Sequence, residues 1–178
     1  MLLLAQCATA PKGPAKAPDL TLPDADGRPH RLVEGAAKLT VIEFFSAHCP
    51  CQTKHDERLR AIAEEYAPRG VRVVAVDSEI DAGAARAREE AERRHYPFPI
   101  LIDPNGTAAY ALDASYATYA LVVDRDGRIL YAGGIDSDKY HLTDDATPFL
   151  RDALEDALAD RPVRRPAGKT LGCALTLK

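Results

Sequence analysis

Glu43-Phe44-Phe45-Ser46-Ala47-His48-Cys49-Pro50-Cys51 is the stretch on which the fold turns. It closes Lys38 to Phe45 (KLTVIEFF), a short apolar run rich in β-formers that suits a buried central strand. From Pro50 to Tyr66 the pattern becomes helical. Leu59, Ile62, Ala63 and Tyr66 share one face, with Lys54, Asp56, Glu57, Arg60 and Glu64 elsewhere. Pro50 fits the first helical turn, where its missing N–H costs nothing. Cys49 therefore stands where a strand runs into a helix. Unpaired N–H groups and the partial positive charge of a helix start stabilise a thiolate, and a thiolate is the nucleophilic form of cysteine. His48, if protonated, adds to the effect.

Working outward, Leu20-Thr21-Leu22, the turn Asp24 to Gly27, and Pro29 to Val33 read as a small β-hairpin. Gly70 ends the first helix, and Val71 to Val76 is a second core strand. Ala84 to His95 is an Ala/Arg/Glu helix, Phe98 to Ile102 a third strand, and Thr107 to Leu112 a short helix. Tyr119 to Val123 and Arg128 to Ala132 form a hairpin across Asp124-Arg125-Asp126-Gly127. Thr147 reads as a helix N-cap and Pro148 as the first helical residue, ahead of a stripe of Leu150, Ala153, Leu154, Ala157 and Leu158. This order predicts an α/β fold, a central mixed β-sheet flanked by helices with an N-terminal β-hairpin. No internal repeat is visible.

The totals narrow the function. A length of 178 residues suits one domain, and a net charge of -4 argues against a nucleic-acid partner. The basic cluster Arg161, Arg164, Arg165 and Lys169 is interleaved with Pro162 and Pro166 and reads as solvated. Four cysteines, Cys7, Cys49, Cys51 and Cys173, are too few for a disulfide scaffold and lack zinc-site spacing. Reactive chemistry is what they leave. Residues 1–18 read as an apolar N-terminus and a Pro/Ala/Lys-rich linker, 19–162 as the domain, and 163–178 as a Pro/Arg-rich tail carrying Cys173. Met1 to Ala5 followed by Cys7 suggests a lipoprotein signal remnant, hence export to a periplasm and membrane attachment through Cys7 lipidation. A cytoplasmic protein with a stray cysteine is the alternative.

The segment from Glu43 to Cys51 resembles the active-site segment of thioredoxin-like proteins, and within them the redoxin branch (alkyl hydroperoxide reductase/thiol-specific antioxidant type). Leu121 to Ile129, Gly134-Ile135-Asp136 and Leu171-Gly172-Cys173 extend the resemblance over roughly residues 18–178. It implies a thioredoxin-like fold and thiol–disulfide exchange through Cys49. The implied partners are a protein or small-molecule disulfide, or a peroxide, together with a thiol electron donor; no cofactor is implied. It also places Glu43 where thioredoxins carry a buried acid that shuttles a proton, which burial would tune towards neutrality.

The chain departs from the thioredoxin C-x-x-C by one residue. A step of two on a helix rotates by about 200°, so a helical Cys51 would point away from Cys49 unless the first turn is irregular. Cys49–Cys51 ranks first as the redox pair and Cys49–Cys173 second. A thiol peroxidase is the alternative function. Ser46 fits the hydroxyl position of the peroxiredoxin motif, but Ile42 stands where that family has proline and Thr118 where it has arginine. Thr118 is also close to the thioredoxin cis-proline position. A copper chaperone of the Sco type is third, with Cys49, Cys51 and His48 or His55 as soft-metal ligands. That family's later histidine has no counterpart here, and His141 reads as part of a surface loop.

Overall fold

The computed structural model describes residues 15–178, so the apolar N-terminus and Cys7 lie outside the described residues. A two-stranded antiparallel hairpin, β1 (Thr21–Pro23) and β2 (Pro29–Arg31), precedes the main sheet. Then follow β3 (Leu39–Phe45), α1 (Pro50–Tyr66), β4 (Val71–Asp77), α2 (Ala84–Arg93), β5 (Ile100–Ile102), α3 (Thr107–Ala111), β6 (Tyr119–Asp124), β7 (Ile129–Gly134) and α4 (Phe149–Leu158). The five-stranded sheet has the order β5-β4-β3-β6-β7. Strands β3, β4 and β5 are parallel, and β6 and β7 are antiparallel to their neighbours.

Strand β3 is the middle strand, and all seven of its residues are buried, as its unbroken apolar run requires. Alternation divides it between two cores. Val41 and Phe45 pack with Leu59, Ile62 and Tyr66 of α1 and with Leu150 and Leu154 of α4. Ile42 and Phe44 face α3 (Ala108, Ala109) with Leu112 just beyond it, and Leu22 and Leu32 from the hairpin region. Each Val, Leu, Ile or Phe among them, fully buried, contributes about 1.5–3 kcal/mol. Glu43 shares the face of Val41 and Phe45, and is thereby aimed at α1.

One turn is used twice. In Asp24-Ala25-Asp26-Gly27 and Asp124-Arg125-Asp126-Gly127 the first carboxylate accepts backbone N–H groups two and four residues on. Gly27 (φ 76°) and Gly127 (φ 82°) supply the left-handed residue.

The structure moves one predicted helix start. Helix α4 begins at Phe149, with Pro148 in the capping position and no side-chain cap. Thr147 does not cap because its backbone pairs with Ser137: its N–H goes to Ser137 Oγ (2.9 Å), and its carbonyl accepts Ser137 N–H (3.1 Å). Helix α2 is also shorter than predicted; the chain turns at His95, whose φ is 51°.

The segments flanking the domain cover the outer edge of β7. Ala17 N–H reaches Gly127 O (2.8 Å), Ile129 N–H reaches Ala15 O (3.1 Å), and Ala132 N–H reaches Pro166 O (3.0 Å). An open sheet edge is thus occupied by the chain itself. The approach is close enough to demand glycine: a Cβ on Gly133 would stand 2.4 Å from Gly168 N.

Candidate active site

The exit of β3 and the start of α1 place the cysteines. Cys49 is the N-cap of α1 in an extended conformation (φ -87°, ψ 115°), with Pro50 in the first turn, as the sequence predicts. Its N–H is donated to Ser46 O at 3.4 Å, and it is only 1% exposed. Since Cys49 is not itself helical, the 200° argument does not apply to the pair. Cys51, at the second helical position, brings its sulfur back towards Cys49.

The third thiol arrives from the far end of the chain. The Sγ atoms of Cys49, Cys51 and Cys173 lie within 4.8 Å of one another, and all three cysteines are free. Cys173 donates its backbone N–H to Cys49 Sγ (3.4 Å), and Cys51 donates its S–H to Leu171 O (3.3 Å). The segment around them is pinned by Ala117 N–H to Cys173 O (2.9 Å), Leu175 N–H to Ser115 O (3.0 Å) and Ile80 N–H to Thr176 O (2.9 Å). Gly172 permits this contact, because a Cβ there would lie 1.7 Å from Ala117 O. Cys173 thus stands beside Cys49 and Cys51.

Burial pushes the Cys51 thiol up, and the neighbouring Cys49 sulfur adds to the effect. Cys173 is pushed up to about 12 by burial first and by Cys49 second. Both thiols are held protonated beside Cys49, whose sulfur accepts the backbone N–H of Cys173.

The other predicted site residues divide. Ser46 is buried beside the cluster, but its hydroxyl is donated to Glu79 Oε2 (3.0 Å) and accepts His48 N–H (3.3 Å). The His48 side chain is 70% exposed and faces Asp81 Oδ2 at 3.5 Å, so its ring is directed at a surface carboxylate. Thr118 is buried at φ 61°, with its N–H bonded to Phe44 O (2.9 Å). That conformation is an outlier for a β-branched residue. It is held by the end of β3 on one side and, on the other, by Gly172, whose added Cβ would lie 2.9 Å from Thr118 Oγ1.

Glu43 is wholly buried, and neither carboxylate oxygen has a hydrogen-bond partner. Burial raises it to about 8, against the partial opposition of Gln52 and Arg94. Around it lies a network the sequence reading missed. Gln52 Nε2 donates to Tyr96 OH (3.2 Å), Tyr96 OH to Asp56 Oδ1, and Arg94 Nη1 to Asp56 Oδ2 (2.7 Å). Asp56 was expected off the packed face and is instead buried, because Arg94 and Tyr96 come from beyond α2 to pair with it. The i, i+4 spacing of Gln52 and Asp56 beside Leu59 was the available signal.

His55, offered by the sequence as a soft-metal ligand, is engaged otherwise. It is buried on α1, with Nδ1 2.8 Å from Cys51 O and Nε2 3.2 Å from Asp136 Oδ1. Both partners accept, so the doubly protonated ring is the form that satisfies both contacts. Burial opposes that charge, but Asp136 and the Cys51 carbonyl outweigh it and the His55 pKa is raised. Arg58 Nη1, 2.5 Å from Asp136 Oδ2, completes the group.

A central mixed sheet with helices on both faces, and a cysteine capping the helix after the middle strand, defines a thioredoxin-like redox domain. The redoxin family model matches residues 12–145. The chain belongs to the redoxin family. It is 27% identical over 114 residues to the thiol-disulfide oxidoreductase ResA of Geobacillus thermodenitrificans, a match spanning 64% of each protein. An uncharacterized conserved protein from Geobacillus kaustophilus superposes with a TM-score of 0.82 at 30% identity, covering 96% of this chain and 94% of its own. The peroxidoxin BcpB of Mycobacterium tuberculosis shares the fold, with a TM-score of 0.61 at 22% identity over 85% of this chain and 96% of its own. Among the described residues, no helix is long and apolar enough to cross a membrane.

Proposed function

We propose that the protein is a thiol–disulfide oxidoreductase with Cys49 as the attacking thiolate. One observation carries the reading: three free sulfurs lie within 4.8 Å of one another, one of them on the N-cap residue of a helix. In the reductive direction the Cys49 thiolate attacks one sulfur of a substrate disulfide. The substrate S–S bond breaks, the leaving sulfur takes a proton, and a mixed disulfide forms. Cys51 or Cys173 then loses its proton, attacks Cys49 Sγ and expels the second substrate thiol. The substrate gains two electrons, the cluster is oxidised, and a dithiol donor restores it. Glu43, with its pKa near 8, is the buried proton store behind α1.

The ResA relationship and the redoxin membership support this reading. A thiol peroxidase has less support, because the Ser46 hydroxyl is engaged by Glu79 and Thr118 replaces the arginine that the resemblance calls for. The apolar Met1–Ala5 run before Cys7 supports export with a lipid anchor, which metabolic labelling with a fatty acid would detect.

Disulfide mapping by mass spectrometry after stoichiometric hydrogen peroxide tests the site. A reversible bond from Cys49 to Cys51 or Cys173, reduced by a thioredoxin-type donor, is expected. Cys49→Ser abolishes disulfide reduction, and replacing both Cys51 and Cys173 by serine accumulates the mixed disulfide on Cys49. A fully active Cys49→Ser protein, or an unreactive Cys49, would sink the proposal. Peroxide consumption should be no faster than that of free cysteine.

A further inference from the structure

Outside the exchange reaction, the reduced cluster is a set of donor atoms. We infer that Cys49, Cys51 and Cys173 together form a three-coordinate site for a soft monovalent cation, Cu(I). Three sulfurs about a cation at roughly 2.3 Å stand roughly 4 Å apart, and the three Sγ atoms already lie within 4.8 Å of one another. Thiolates select soft metals. Among the described residues this group has three ligand side chains and no fourth, which suits Cu(I) rather than Zn(II), a cation that takes four. The histidines that the sequence offered as ligands are engaged elsewhere: His55 by Cys51 O and Asp136, His48 by Asp81 at the surface. Cys173 takes the place they were expected to fill.

The surroundings suit the complex. Cys49 and Cys51 are each 1% exposed, so a bound ion is held away from bulk water. The Cys173 N–H directed at Cys49 Sγ and the open start of α1 offset the negative charge of a tris-thiolate. Binding exchanges the thiol protons for the cation and sends them to solvent, with no change in oxidation state at sulfur or metal. An occupied cluster cannot attack a disulfide, so metal and exchange substrate compete for the same reduced protein.

The test is anaerobic titration of the fully reduced protein with Cu(I) against a chromophoric Cu(I) chelator, with X-ray absorption on the product. One equivalent bound, with three sulfurs and no nitrogen in the first shell, is expected. Cys173→Ser and Cys173→Ala should each weaken binding by more than about 100-fold, beyond the loss of an outer-shell contact. Wild-type affinity in both variants, a two-sulfur shell, or Zn(II) displacing Cu(I) at equal concentration would overturn the site. Disulfide reduction measured on the same metal-free preparation keeps the two readings apart, since a failed metal site leaves that activity intact.

Discussion

The backbone N–H of Cys173 points at Cys49 Sγ from 3.4 Å, although the two residues are 124 apart in sequence. Oxidation between them therefore needs only rotation of side chains already in contact. In the proposed reaction Cys173 stands as close to Cys49 as a resolving thiol requires, alongside Cys51, whose sulfur is anchored to Leu171 of the same segment.

Gly172→Ala tests that placement without touching a sulfur. A Cβ there meets Ala117 O at 1.7 Å, so the segment has to lift away. Disulfide mapping under limiting peroxide should show the Cys49–Cys173 bond falling at least about tenfold, while Cys49–Cys51 persists; the shift corresponds to about 1.4 kcal/mol.

Glu43 makes stability depend on pH in a definite direction. Its carboxyl loses its proton near 4.5 when unfolded and at about 8 when folded. Between those values the folded state binds more protons, so its contribution is full below pH 4.5 and is lost as pH rises through 8. Glu43→Gln should flatten this slope and make the protein more resistant to urea at pH 9 than the parent. The same variant should lose the rise in disulfide-exchange rate near pH 8.

His55→Ala removes a buried imidazolium and strips Asp136 of one partner. Loss of one member of a buried ion pair costs about 3–5 kcal/mol; Arg58, still on Asp136, should hold the value near the lower end. The raised His55 pKa sets the pH window: the gap between parent and variant is full below about 6.5 and narrows as pH rises through the higher folded value. Urea titrations at pH 6 and pH 9 check both statements.

Ser46→Ala separates the two redox readings. The hydroxyl bonds Glu79, whose other oxygen accepts Thr176 N–H at 3.5 Å, so its loss loosens the C-terminal segment. Stability should fall by about 1 kcal/mol, and disulfide reduction should drop less than tenfold in a steady-state assay. A much larger loss confined to peroxide turnover would instead assign Ser46 to peroxide binding.

The central strand and the first helix were legible because their signals are local. An unbroken β-forming run, a proline just inside a helix and a cysteine between them need no partner to be read. Both Asp-x-Asp-Gly turns were legible for the same reason. The seating of residues 166–176 was not, since it rests on Gly133, Gly134, Gly168 and Gly172 permitting backbone contact between distant segments. The burial of Asp56 and the pairing of His55 were not legible on similar grounds: a polar residue on a packed helix face is explained only by Arg94, Tyr96 or Asp136, and none of these is near in sequence. His48 is legible only as a neighbour of Cys49 along the chain; its ring is exposed and lies 3.5 Å from Asp81 Oδ2.

Electrons leave thiols in pairs, and this cluster has an odd number of them. Whichever bond forms on oxidation, one sulfur is left over within 4.8 Å of the new disulfide. In the proposed reaction that leftover thiol stands beside a bond it can attack, and the oxidised protein is expected to interconvert between isomers. An alkylating reagent applied to it should count one thiol at the cluster, never zero, and find that thiol spread over more than one position.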